Sequence, residues 1–264
     1  MSLNKVILSG VVAEEPEFLA ESIHSEDVLQ IKLFINRCDI DRKETISILL
    51  FNDDLISKAL TLVHKDMYLL MNNGRLITTN YIKTVPIICP HCQNVEYKKT
   101  SSEKTEIECL DFSVMECSDP LKAVGINKVF AMGNICSELN YREGTHPSKN
   151  YIKYKLAVNR SRREAAETKN ADYPFVVSFA NEATNAHRLL HTTALVVVEG
   201  AIQERTIKQS TDILCENCGQ TSSPHVESTV REIITAKVDY VTLGNHESPR
   251  QPEDFNLSEP SEEN

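Results

Sequence analysis

Two short motifs, Cys89-Pro90-His91-Cys92 and Cys215-Glu216-Asn217-Cys218, each set two thiols two residues apart. That gap lets both sulfurs and the intervening amides turn toward one cation, and structural zinc takes four such ligands in a tetrahedron. Each motif supplies two ligands. The simplest closure gathers Cys89, Cys92, Cys215 and Cys218 around one structural Zn2+. Two other closures stay open. One completes each site locally, with His91 or Cys109 in the first case and His225 in the second; the other shares sites between two copies of the chain. Cys38, Cys109, Cys117 and Cys136 stand alone and read as packing residues. The opening residues lack the basic-then-apolar layout of a secretory signal, and no apolar run is long enough for a membrane span. Reduced thiols in a cytoplasmic setting are therefore expected.

Four thiolates would leave zinc no position open for water. The chain has no His-Glu-x-x-His motif and no deaminase-type His-x-Glu signature ahead of a Pro-Cys-x-x-Cys. Its eight glycines are too scattered to cradle a phosphate. His187 and His191 have helical spacing but no third ligand in evidence. A binding protein is expected, not an enzyme.

Cations and aromatics are interleaved instead. The second half carries Lys153, Lys155, Arg160, Arg162, Arg163 and Lys169, then Arg205 and Lys208, among Tyr141, Tyr151, Tyr154, Tyr173, Phe175 and Phe179. The first half has Lys32, Arg37, Arg42, Lys43, Arg75 and Lys83 with Phe51 and Tyr81, diluted by Asp39, Asp41 and Glu44. Cations that track phosphates and ring faces that stack bases are what sequence-independent binding of a single strand requires. The net charge of −10 does not exclude this, because backbone binding depends on a local groove. Phe34, Phe51 and Phe179 have a competing reading as core residues, Phe34 most of all.

The elements that must position these groups come from an internal repeat. Asn4-Lys5-Val6-Ile7-Leu8-Ser9-Gly10 returns as Asn127-Lys128-Val129-Phe130-Ala131-Met132-Gly133, and Ile31 to Arg37 returns as Tyr154 to Arg160, both 123 residues on. Ser47 to Asn52 answers Val176 to Asn181, Tyr68 to Met71 answers Leu195 to Val198, and the two thiol motifs follow in the same order. Each half reads as five short apolar strands. A helix over about 53–64, then about 181–191, lies between the third and fourth, with Leu55, Ala59, Leu60 and Val63 on one face of the first. That layout predicts a mainly β protein of two tandem OB-fold domains, each a five-stranded Greek-key barrel. The expected divisions are 1–116, a linker at 117–125, 126–244, and a disordered acidic C-terminal tail at 245–264. From Glu247 onward that end holds six acidic residues and one arginine.

The order Asn-Lys-Val-Ile-Leu-x-Gly, then Asn-Arg, then Val-Val-x-Phe, then Val-x-Gly-x-Leu resembles the bacterial-type single-stranded DNA-binding (SSB) family. Leu156 to Arg160, Val176 to Phe179 and Val198 to Ile202 are the closer copy. The resemblance spans nearly everything before the tail and implies OB folds that hold single strands during replication, recombination or repair. On it, the residues expected at the strand are Lys32, Arg37, Phe51, Arg75, Tyr81, Lys153, Lys155, Arg160, Arg162, Arg163, Tyr173, Phe175, Phe179, Arg205 and Lys208. It also implies assemblies of four OB domains, which this chain would reach as a homodimer, and replication or recombination partners reached through the acidic tail. The chain departs from the family in having no tryptophan and in ending Ser261-Glu262-Glu263-Asn264 without Pro-Phe. The tandem form suggests a phage- or mobile-element-encoded member. The alternative is an OB-fold accessory protein acting mainly through protein contacts.

Overall fold

A computed structural model describes residues 3–19, 27–37, 42–160, 171–210, 213–222 and 225–242. Arg162, Arg163 and the acidic tail lie outside them. In the first half, β1 (Leu3–Val12), β2 (Glu17–Phe18), β3 (Leu29–Arg37) and β4 (Arg42–Leu50) lead to helix α1 (Asp53–Leu62), then β5 (Tyr68–Ile88) and β6 (Val95–Met115). The second half runs β7 (Ile126–Ile135), β8 (Asn140–Arg142), β9 (Tyr151–Asn159), β10 (Ala171–Asp172) and β11 (Phe175–Phe179), then helix α2 (Ala180–Leu189). It ends with β12 (Leu195–Ser210), β13 (Ile213–Leu214), β14 (Thr221–Ser222) and β15 (His225–Thr242).

Each half closes into a barrel. In the first, β1 pairs with β3, β3 with β4, β4 with β6 in parallel, β6 with β5, and β5 with β1. In the second, β7, β9, β11, β15 and β12 repeat the same circuit, again with one parallel pair, β11 on β15. This is the five-stranded OB barrel, with a helix between its third and fourth long strands. Strict alternation drives closure: Leu29, Ile31, Leu33 and Ile35 point inward from β3, as Ile152, Tyr154, Leu156 and Val158 do from β9. Tyr154 therefore belongs to the core, not to a groove. Phe34, for which the sequence favours the core, lies in the outward register between Leu33 and Ile35 and is half-buried.

The helices plug the barrels. Asn52 caps α1 by accepting the Asp54 and Leu55 N–H groups at 3.0 and 3.1 Å. The buried face is Ile56, Ala59 and Val63, while Leu60, assigned to that face from its spacing, is 49% exposed. Ala59 and Val63 are buried as expected and Leu55 packs against the core, so the stripe differs from the expected one only in taking Ile56 in place of Leu60.

The barrels meet edge to edge through β1 and β7, which pair antiparallel from Leu3↔Met132 to Ser9↔Ile126. Asn4 faces Ala131, and Leu8, the repeat counterpart of Ala131, faces Asn127, the counterpart of Asn4. A pseudo-twofold axis thus passes between Val6 and Val129, which face each other and are both buried. Beyond the barrels, β5–β6 and β12–β15 continue as two-stranded arms. Fourteen steps from Gly74 to Ile88 at about 3.4 Å each make the first arm roughly 50 Å long. Among the described residues, no helix is long and apolar enough to cross a membrane.

Candidate nucleic-acid interface

In the second barrel the outward faces of β9 and β11 carry the aromatic and cationic groups. Lys155 lies opposite Phe175, Lys153 opposite Val177, and Tyr151 opposite Phe179. Alternation puts Tyr151, Lys153 and Lys155 on the outer side because Ile152, Tyr154 and Leu156 fill the barrel. Lys153 Nζ sits 4.0 Å and Lys155 Nζ 4.7 Å from the Phe175 ring centroid, so two ammonium groups lie over one ring. Phe179 is 46% exposed and tilts against Tyr151, with centroids 5.6 Å apart. Tyr173, just before β11, is 39% exposed. The surface offers ring faces and cations in one row.

The first barrel presents a poorer version. Lys32, the counterpart of Lys155, faces Ser47 where the second barrel has Phe175. Gln30 stands where Lys153 would be. The strand register therefore aligns Ser47 with Phe175 and Phe51 with Phe179, one residue off the match read from sequence between Ser47 and Val176. Phe51 and Tyr81 are both half-buried.

Carboxylates already engage most of the candidate cations. Lys153 Nζ is 2.5 Å from Glu232, which also holds Arg205 at 2.8 Å. The Glu232 side chain is 3% exposed. Its burial works to raise the carboxyl pKa, but Arg205 and Lys153 outweigh that and hold it below the ordinary value. Lys155 pairs with Glu103 at 2.9 Å, Lys32 with Glu14 and Glu17 at 3.0 and 3.1 Å, and Lys208 with Glu227 at 3.0 Å. Arg75 binds Glu108 at 2.6 Å, with both side chains largely covered. Arg160 binds Asp172 at 2.9 Å, and Asp172 is fully buried. Asp172 also accepts the Thr78 N–H at 2.8 Å, and the Tyr173 N–H donates to the Thr78 hydroxyl. Arg160 thus bolts the end of β9 to the first arm. Arg37 lines a cleft of about 250 Å³ with Glu44, Asn127 and Lys128.

Sequence reasoning missed the acids that answer these cations, because no local motif announces a pairing made across strands. It also missed the role of the repeated asparagine. Asn4 bridges the Leu76 N–H and carbonyl at 2.9 and 2.8 Å, and Asn127 does the same for Ile202 at 2.9 and 2.8 Å. Each stitches its barrel strand to the base of an arm. Tyr141 and His187 stack with centroids 4.0 Å apart, which uses that histidine in packing.

The arm tips bring the four paired cysteines together. Cys89 Sγ lies 3.7 Å from Cys218 Sγ and Cys92 Sγ 3.6 Å from Cys215 Sγ, and all four sulfurs fall within 4.8 Å of one another. Sulfurs placed tetrahedrally at about 2.3 Å from zinc would be roughly 3.8 Å apart, so the donor set and its spacing suit one such ion. Matching turns build both knuckles. Gln93 donates to the Cys89 carbonyl at 2.9 Å and Gly219 to the Cys215 carbonyl at 2.9 Å, with φ of 59° and 67°. The Asn217 side chain and the Asn94 N–H hold the Cys92 thiol down at about 6, whereas, against backbone hydrogen bonds that lower them, desolvation and the neighbouring thiols raise those of Cys215 and Cys218. Cys109 is buried beside the core, and burial pushes its thiol up to about 12.

Residues 126–239 match the Single-strand binding protein family. The wild-type single-stranded DNA binding protein from Thermus aquaticus superposes with a TM-score of 0.60 at 14% identity, covering 94% of this chain and 97% of that one. A deletion mutant of that Thermus aquaticus protein gives 0.59 at 12% identity, covering 95% and 98%. At such identities the likeness is one of fold, and it extends over both barrels. No curated protein matches in sequence. The second barrel thus matches the SSB family, and the chain along its whole length has a two-barrel OB fold similar to that of the Thermus aquaticus protein.

Proposed function

We propose that the chain binds single-stranded DNA without regard to sequence and protects it during replication, recombination or repair. The strand crosses the outer face of β9 and β11, where bases stack on Phe175, Phe179 and Tyr173. Phosphates meet Lys153, Lys155 and Arg205, and Arg162 and Arg163, which follow Arg160 in the sequence. The observation that carries this reading is one row of the half-buried Phe175 ring, with Lys153 and Lys155 over it, and the exposed Phe179 and Tyr173 rings. The first barrel adds a weaker contact through Lys32, Arg37, Phe51 and Tyr81, with Lys208 on the second arm. Arg75 and Arg160 serve the frame, since their own side chains are only 12% and 9% exposed, whereas Lys153 and Arg205 keep 24% and 43%.

One structural Zn2+ held by Cys89, Cys92, Cys215 and Cys218 joins the arms. Support for it lies in the sulfur spacing and in the matched knuckle turns. Four thiolates fill a tetrahedral zinc, so its work is mechanical.

Titration of the intact chain with fluorescent oligo-dT at several salt concentrations tests the reading. Saturable binding that weakens as salt rises is expected, because phosphate contacts release counterions. No binding even at low salt would reject it in favour of a protein that works through protein contacts.

A further inference from the structure

Lys32 and Lys155 are equivalent positions of the repeat, 123 residues apart, and each projects from the outer face of its barrel. Both are neutralised, and by acids that do not correspond. Lys32 is held by Glu14 and Glu17, whose second-half counterparts are Ser137 and Asn140. Lys155 is held by Glu103, which comes from the first half's arm and whose counterpart on the other arm is Thr229. Two unrelated arrangements thus reach the same result at the same lysine. Ancestry of the repeat does not account for that, since neither acid set has a copy in the other half.

We infer that Glu103, and Glu14 with Glu17, are internal phosphate surrogates: carboxylates that occupy the lysines of the DNA track in the free protein and yield them to the strand on binding. This rests on the proposed DNA-binding face. Exposure separates these acids from Glu232. Glu232 is 3% exposed and holds two cations, so it belongs to the frame. Glu103 is 26% exposed, and Glu14 and Glu17 are 59% and 55% exposed, so water can take each of them over when a phosphate arrives. The ammonium of Lys155 also touches the Phe175 ring, so a phosphate that displaces Glu103 lands beside a stacking surface. The exchange sets a threshold: a strand must offer stacking as well as charge before the lysine is released. An isolated anion or a duplex with its bases inside gains no stacking and meets it less readily.

Oligo-dT binding by Glu103→Gln and by Glu14→Gln/Glu17→Gln tests the idea. Each variant is expected to bind about two- to fivefold tighter than wild type at low salt, the strength of a partly exposed ion pair. The salt slope should steepen by about 0.7 per lysine released, the value for one added phosphate contact on a single strand. In a Lys155→Gln background, Glu103→Gln should give no gain, which separates a local exchange from a general fall in negative charge. Wild-type binding with no gain in either variant overturns the inference while leaving DNA binding intact. A gain that persists without Lys155 also overturns it for Glu103. Absence of binding by every variant overturns the DNA-binding reading and this inference together.

Discussion

At the scale of single residues, Phe175 and Glu232 illustrate two ways a groove is built. Phe175 is a half-buried ring with Lys153 and Lys155 over it, and on the proposed reading it stacks a base once a phosphate draws those lysines off. Its replacement by alanine should weaken oligo-dT binding by about 1–3 kcal/mol, the worth of one stacked base, with no change in melting temperature beyond that of a surface position. Glu232 holds Lys153 and Arg205 in place from a buried site. Its pKa is lowered in the folded chain, so its stabilising contribution is complete above the ordinary carboxylate value of about 4.3 and is lost as pH falls through the folded value. The difference in melting temperature between wild type and Glu232→Gln should therefore be greatest near neutral pH and shrink below about pH 4. A difference that does not vary with pH would show that the ionised carboxylate contributes nothing. The cations and rings of this site were legible in the sequence. The acids were not, because Glu103 and Glu232 reach it through strand register, with Glu103 drawn from the other half of the chain.

At the scale of elements, close strand approach constrains the repeat. A Cβ on Gly133 would lie 2.4 Å from the Ala157 carbonyl oxygen, and one on the equivalent Gly10 2.5 Å from that of Phe34. In each case backbone blocks the space, so no rotamer change relieves it. Gly133→Ala should cost about 1–3 kcal/mol in urea denaturation, as overpacking of a tight core does; wild-type stability would show that the strands can part freely. The arms depend on their tips. Native protein should carry one zinc per chain by elemental analysis, and Cys215→Ser should lose it and melt at lower temperature. Two zincs per chain would contradict a shared site. Matched Cys-x-x-Cys pairs made this cluster the most readable feature of the sequence, because two pairs of thiols at that gap point to one meeting place, and the arm tips bring all four within 4.8 Å. The helix faces were less readable: Leu60 and Ile56 are both apolar, and only the packing direction decides between them.

At the scale of the whole molecule, the chain is a covalent pseudo-dimer. The axis between Val6 and Val129 also runs past the arms, where Arg231 reaches the Thr105 carbonyl at 3.5 Å from its own repeat-equivalent position. It then passes through the cysteine cluster, since the pairs Cys89–Cys218 and Cys92–Cys215 exchange under it. Edge pairing of β1 with β7 and the proposed zinc at the tips therefore tie the halves at opposite ends. The duplication was plain in the sequence. That the barrels would join through their first strands was not, because an exposed strand edge carries no residue code for its partner. The symmetric frame holds unequal surfaces, with Lys153 and Phe175 on one barrel and Gln30 and Ser47 at the same places on the other. Photocrosslinking of the intact chain to oligo-dT bearing 5-iodouracil, with adducts mapped by mass spectrometry, tests this asymmetry most directly. Adducts are expected chiefly at Phe175, Phe179, Tyr173 and Tyr151. Adducts confined to the first barrel, or none at saturating DNA, would contradict the placement of the strand on β9 and β11.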